Sequence, residues 1–254
     1  MIAVVDYCKG NLKSVERGLR NVGGEAQITD DPCVIARARA IVLPGVGAFA
    51  DAAATMVATG QMQVIRDRIL AGVPFLGICL GLHLLFEEGE EGAPSPQAPS
   101  PQAPSAPAIS PQAASAQAAS APAMKAAPLY PRGLGIVPGR VLRMPAFDAT
   151  GAFYKVPHVG WNSLEFNLDT DGLAWNAGTF PLLNGISPGE HFYFTHSYIA
   201  PHTPATVATT THAATFPSVI AWQDTCFGVQ FHPEKSSDAG ALVLRNFLDI
   251  VERA

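Results

Sequence analysis

Short apolar runs alternate with helix-period stretches over the first 90 residues. The run IAVV at residues 2–5 is unbroken and has the length of a buried strand. Leu12, Val15, Leu19 and Val22 follow at a spacing that lines one face of a helix, with Asn11 placed to cap it. Residues 41–43 read as a second buried strand, after which PGVGAF turns sharply. A helix is expected over 64–71 with Ile65, Ile69 and Leu70 inward, and residues 74–77 form the next strand. Strand and helix in alternation predict an α/β fold with a mainly parallel sheet and helices on both faces.

The pattern changes in the second half. Residues 140–144, 191–199, 205–211 and 219–222 are strand-like and separated by turns, which predicts antiparallel strands appended to the sheet. The chain then closes with GVQFHPEKSS and a helix that puts Leu244, Phe247, Leu248 and Val251 on one face. Ser237 or Asp238 stands where its cap belongs.

Between the halves, residues 93–124 are written almost entirely in Ala, Pro, Ser and Gln. The string SPQAP repeats at Ser95 and Ser100, and no charge occurs between Glu91 and Lys125. Such a segment cannot bury enough apolar area to offset its ordering entropy. We expect a disordered surface insertion at about 93–130, a tolerated loop rather than a tether or docking peptide, inside a single domain spanning 1–254.

Composition narrows the function classes. With 48% hydrophobic residues among 254, the chain can build one sizeable core. The net charge is −5 and the basic residues are scattered, so the basic footprint of a nucleic-acid binder is missing. Cys8, Cys33, Cys79 and Cys226 form no CxxC pair and have no adjacent His to complete a zinc site. No metal or cofactor is expected, and the spacing suits free thiols in a reducing compartment. MIAVVDY lacks the basic and long apolar regions of a secretory signal. The uncharged run 72–86 is shorter than the ~20 residues of a spanning helix. A soluble cytoplasmic protein is expected.

Within PFLGICLGLHLLF, PFLG reads as strand, GICLG as turn and LGLHLLFEE as the start of a helix. GxCxG is the thiol counterpart of the GxSxG nucleophile elbow, whose glycines permit backbone crowding while the nucleophile stands at a strand's C-terminal end. A helix N-terminus there favours a thiolate at Cys79. The other reading is a buried structural cysteine.

A thiolate nucleophile needs a base and a group to orient it. In QFHPEKS, an extended backbone of period two places His232 and Glu234 on the same side, with Pro233 biasing His232 toward extension. The N–H of Leu80 is one expected oxyanion donor, and the glycine-bearing loop at 44–47 can supply a second. All three segments follow predicted strands, whose carboxyl ends are where ligands bind in open parallel sheets.

GICLG, PGVGAF and QFHPEKS together resemble the class I (triad) glutamine amidotransferases. DYCKGNLKSV, GLGIVPGRV, KVPHVGWN, FTHSY and the Lys after HPE are further similar to the glutaminase subunits that serve imidazole glycerol phosphate synthase in histidine biosynthesis. The resemblance spans the chain apart from the insertion. It implies a flavodoxin-like sheet and a triad of Cys79, His232 and Glu234. It also implies an oxyanion held near Val46, Gly47 and Leu80, and glutamine contacts at Gly45, Gly47, His83, Glu91, Ser197 and Tyr198. Ammonia would pass to a cyclase subunit, a (β/α)8 barrel, in a heterodimer, with Asn11, Trp161, Asn162 and Lys235 at the contact.

Two positions depart from the family pattern. His83 stands where Gln is usual, so glutamine binding is expected to be retained but weaker. Cys8 stands where Gly is more common. An amidotransferase subunit of another pathway, a stand-alone cysteine γ-glutamyl hydrolase and a non-enzymatic interaction module are the competing readings.

Overall fold

The computed structural model describes residues 1–8, 10–93, 130–166 and 180–254. The Ala/Pro/Ser/Gln-rich segment expected to be disordered lies outside the described residues, as does Lys9. The first half runs β1 (Ile2–Val5), α1 (Leu12–Asn21), β2 (Ala26–Thr29), α2 (Pro32–Arg37), β3 (Ala40–Gly45), α3 (Phe49–Ala58), α4 (Gln61–Leu70), β4 (Phe75–Cys79) and α5 (Leu80–His83). Then come β5 (Phe86–Gly89), β6 (Val137–Arg143), β7 (His158–Ser163), β8 (Glu165–Phe166), β9 (His191–His196) and β10 (Tyr198–Ile199). The last elements are β11 (Thr206–Thr211), β12 (Thr215–Trp222), β13 (Cys226–Val229) and α6 (Ser237–Arg253).

One sheet carries the fold, in the order β2-β1-β3-β4-β13-β12-β11-β8. Its first five strands are parallel and have the flavodoxin-like order; the last three are antiparallel additions. Both faces are covered. Ile2 and Val4 of β1 pack with Val15 and Leu19 of α1 and Leu244 and Phe247 of α6. Ala3 and Val5, on the opposite side by strand alternation, pack with Ile35 of α2, Met56 of α3 and Ile65 of α4. Each such large apolar side chain contributes about 1.5–3 kcal/mol when fully buried.

Several expectations are corrected in detail. Ile65 and Ile69 are buried, but Leu70 is 50% exposed, because one residue beyond Ile69 the helix has turned about 100° away from the core. The helix expected after the elbow is a single turn, and Phe86 to Gly89 is instead a strand paired with β6. The run 84–86 is apolar at every position and therefore carries no period to separate the two states. Residues 140–144 and 191–199 do not extend the main sheet: β6 lies between β5 and β10, and among the described residues β9 pairs with β7 alone. The cap of α6 is Ser236, not Ser237 or Asp238. Asn11 occupies the N-cap of α1 through its backbone carbonyl, which accepts from Ser14 and Val15, and its side chain makes no cap bond. Cys8 adopts φ 65°, a left-handed conformation that explains why glycine suits the position, and its N–H donates to Asp6 Oδ1 at 2.8 Å.

Candidate active site

Cys79 ends β4 with φ 55° and ψ −105°, backbone values that cost a non-glycine residue about 1–3 kcal/mol. Crowding around it explains the flanking glycines. A Cβ on Gly77 would run into the carbonyl of Gly81, and one on Gly81 would run into the carbonyl of Leu43. The chain therefore folds back tightly over β3, and register pairing sets Cys79 opposite Gly45. Because α5 has only one turn, the dipole of a longer helix is not available to the sulfur. The free N–H groups of that first turn, Leu80 included, remain.

His232 follows β13, the strand beside β4, so adjacent strands deliver the thiol and the imidazole to one sheet edge. Its Nδ1 bonds Glu234 Oε1 at 2.9 Å, with both side chains almost wholly buried. The pairing does not arise from an extended backbone. Only His232 is extended; Pro233–Lys235 is a 3-10 turn that swings Glu234 back under the ring. The turn is pinned by Ser236, whose Oγ donates to the His232 carbonyl at 2.7 Å and accepts from Tyr193 N–H at 3.0 Å. His232 N–H donates to the Tyr193 carbonyl at 2.9 Å.

Burial alone would lower the pKa of this imidazole. The pull of Cys79 and of the Glu234 hydrogen bond outweighs burial and raises it to about 9. Nε2 has no hydrogen bond of full geometry in the resting site, so its coupling to the sulfur is one of charge and proximity. That nitrogen is the one free to exchange a proton with a reacting group.

A cavity of about 270 Å³ opens beside the elbow. Cys79, Leu80, Val46 and Gly47 line it, as do His83, Glu91, Ser197 and Tyr198. Gly47 has φ 101°, which only glycine adopts without strain. Three of the residues expected to contact glutamine have further structural ties. Gly45 is buried at the end of β3 and is not part of the lining. Glu91 is tied to the fold, its Oε2 accepting from Phe49 N–H at 3.1 Å at the start of α3, and burial raises its carboxyl pKa. His83 is 3% exposed and already bonded, with Nε2 2.7 Å from Gln230 Oε1. Burial lowers the His83 pKa to about 4, so the ring is neutral. Gln230, Thr195 and His196 also surround this site and were not singled out in the sequence.

The residues expected at a partner contact separate into two groups. On β7, alternation leaves Val159 and Trp161 exposed, at 56% and 52%, and turns His158 and Asn162 inward. Asn162, half-buried, donates to the Thr211 carbonyl at 2.9 Å and its amide lies 3.3 Å from His158 Nε2, so it braces β7 against β11. Trp161 meets Tyr193 edge-on with centroids 6.2 Å apart, and Lys235 Nζ lies 5.7 Å from the same ring. These three side chains form a continuous surface immediately outside the His232 turn. Asn11 begins α1, whose Gly18 packs near Glu234. Among the described residues no group of three or more His, Cys, Asp or Glu could hold a metal, and no helix is long and apolar enough to cross a membrane.

The glutamine amidotransferase class-I family matches residues 3–251. The chain is 37% identical over 253 residues to the imidazole glycerol phosphate synthase subunit HisH of Syntrophotalea carbinolica, covering 98% of this chain and 100% of that one. It is 39% identical over 254 residues to the subunit of the same name from Moorella thermoacetica, covering 100% and 96%. Among solved structures, one described as a glutamine amidotransferase superposes with a TM-score of 0.61 at 17% identity, covering 99% of this chain and 100% of that one, which speaks to the fold. With a family match over nearly its whole length and relatives of this similarity, the chain belongs to the class-I glutamine amidotransferases.

Proposed function

We propose that this chain is the glutaminase subunit of an imidazole glycerol phosphate synthase, with Cys79 as nucleophile, His232 as acid and base, and Glu234 as the group that orients His232. The observation that carries the reading is the arrangement of the three at one sheet edge: a strained thiol lining a cavity and a buried His232–Glu234 pair coupled to it. Cys79 Sγ attacks the side-chain amide carbon of L-glutamine. The carbonyl oxygen takes the negative charge, stabilised by N–H groups of Leu80 and of the loop at Val46 and Gly47. As the C–N bond breaks, His232 gives its proton to the departing ammonia, leaving a glutamyl thioester. Water, deprotonated by the neutral imidazole, then attacks the thioester and releases glutamate and the thiolate.

The relatives are named as subunits of imidazole glycerol phosphate synthase, which supports a place in such an assembly; in this reading the ammonia passes to a cyclase subunit, and glutamine hydrolysis is linked to production of imidazole glycerol phosphate and an aminoimidazole carboxamide ribotide. The exposed Trp161, with Lys235 beside Tyr193, is the surface suited to that partner, and Asn11 lies on the helix packed behind the same turn. Cytoplasmic location follows from the same reading. The test is to mix the purified chain with a cyclase subunit of such a synthase and its phosphoribulosyl formimino substrate, then measure glutamate and imidazole glycerol phosphate. Glutamate release stimulated by the partner and matched by cyclised product supports the reading. No complex and an unchanged glutaminase rate contradict it.

A further inference from the structure

Gln230 is wholly buried between β13 and the His232 turn, with its backbone N–H donating to the Ser218 carbonyl at 2.9 Å. Its side-chain amide bridges two groups of the site: Nε2 donates toward Cys79 Sγ at 3.7 Å, and Oε1 lies 2.7 Å from His83 Nε2. We infer that Gln230 is a positioning residue for the nucleophile, and that His83 acts through it, by fixing which end of the amide faces the sulfur, rather than by binding the glutamine substrate. The inference rests on the proposed function for the identity of the nucleophile.

Proton counting ties the amide orientation to the ring tautomer. A neutral imidazole has one N–H and an amide oxygen has none, so with Gln230 Oε1 2.7 Å from His83 Nε2 the single proton lies on Nε2, and the Tyr198 backbone carbonyl is the acceptor that competes for it. His83 is buried enough to stay neutral across the working range, which keeps that single-donor state. With Oε1 engaged, Nε2 of the amide points at the sulfur. The reversed amide would present its oxygen to Cys79, an arrangement compatible with a thiol but repulsive toward a thiolate. The other polar groups around Sγ are the Thr195 carbonyl at 3.8 Å, which accepts only from the protonated thiol, the imidazole of His232, and the buried phenol of Tyr7. Gln230 is the neutral side chain with a hydrogen bond to Sγ, while the Tyr7 phenol makes none.

Alkylation of Cys79 by iodoacetamide, followed from low to high pH by peptide mass spectrometry, tests this without any glutamine present. Gln230→Met keeps the volume and removes the donor. We expect its alkylation rate at neutral pH to fall about tenfold and the pH profile to move upward, the loss of one hydrogen bond to a charged group. His83→Leu should move the profile in the same direction, and the double variant should be no worse than Gln230→Met alone. In partner-stimulated turnover, both variants lower kcat with KM changed less than about twofold. A wild-type alkylation profile in Gln230→Met overturns the inference. So does a His83→Leu variant that raises KM and leaves the profile in place, the behaviour of a direct substrate contact. Should Gln230→Met fail to fold, the His83→Leu profile alone decides. Because alkylation needs neither glutamine nor the cyclase, its outcome is separable from that of the proposed function.

Discussion

His232 and Glu234, with only Pro233 between them, are joined side chain to side chain at 2.9 Å inside the protein, next to a cysteine that arrives from the neighbouring strand. The bond fixes the ring tautomer with its proton on Nδ1 when neutral, leaving Nε2 for the chemistry. Glu234→Gln should keep the fold and lower glutamine hydrolysis by about 10²–10⁴-fold, the usual value of a well-oriented general acid–base. Partner-stimulated glutamate release is the readout.

The same pair sets a pH dependence of stability. The His232 pKa is raised from 6.5 to about 9 in the folded protein, so the charged ring binds its proton more tightly there than in the unfolded chain. Its contribution is complete below pH 6.5 and is lost as pH rises through about 9. Denaturant titrations across that window should show the wild type losing more stability than Glu234→Gln, in which one source of the shift is gone.

Ser236 closes the turn from below, bonding both the His232 carbonyl and the Tyr193 N–H. Ser236→Ala leaves the part-buried Tyr193 N–H without its acceptor, while the His232 carbonyl keeps the bond from Lys235 N–H at 3.0 Å, and should cost about 1–3 kcal/mol, with a visible fall in Tm. Turnover should fall as well, since the ring loses its backbone anchor. Thermal unfolding and glutamate release on one preparation check both.

At the elbow, Gly81→Ala places a methyl group against the Leu43 carbonyl, which is backbone and cannot step aside. We expect a loss of about 1–3 kcal/mol or more and a displaced Cys79. Cys8→Gly acts in the opposite sense. Relief of a left-handed backbone worth about 1–2 kcal/mol exceeds the entropy glycine adds, so a higher denaturation midpoint is expected.

The sequence revealed what depends on neighbours along the chain and concealed what depends on neighbours across it. IAVV, the alternation of strand and helix, and the glycines of GICLG carry their own local signals, and β1, the parallel sheet and the strained elbow follow from them. Leu84 to Phe86 carry no period, so the choice between helix and strand was made by pairing with β6. Asn162 reads as a surface polar residue until β11 supplies the Thr211 carbonyl behind it. His232 and Glu234 meet through a 3-10 turn at Pro233–Lys235, a device that the period-two spacing of an extended strand does not reveal. Gln230 had no signal of its own, because its role depends on α5 and β13 meeting at one end of the sheet.

The four cysteines differ in a way that makes the central claim testable. Cys8 and Cys33 are exposed, and Cys226 is buried with its thiol pKa pushed up by burial. Only Cys79 combines a strained backbone with a cavity and the His232–Glu234 pair. Glutamate release should therefore be measured in the cyclase-bound chain for Cys79→Ser and for Cys226→Ser. We predict loss of turnover to background in the first and near wild-type turnover in the second. Partner-dependent glutamate release that survives Cys79→Ser would contradict the account.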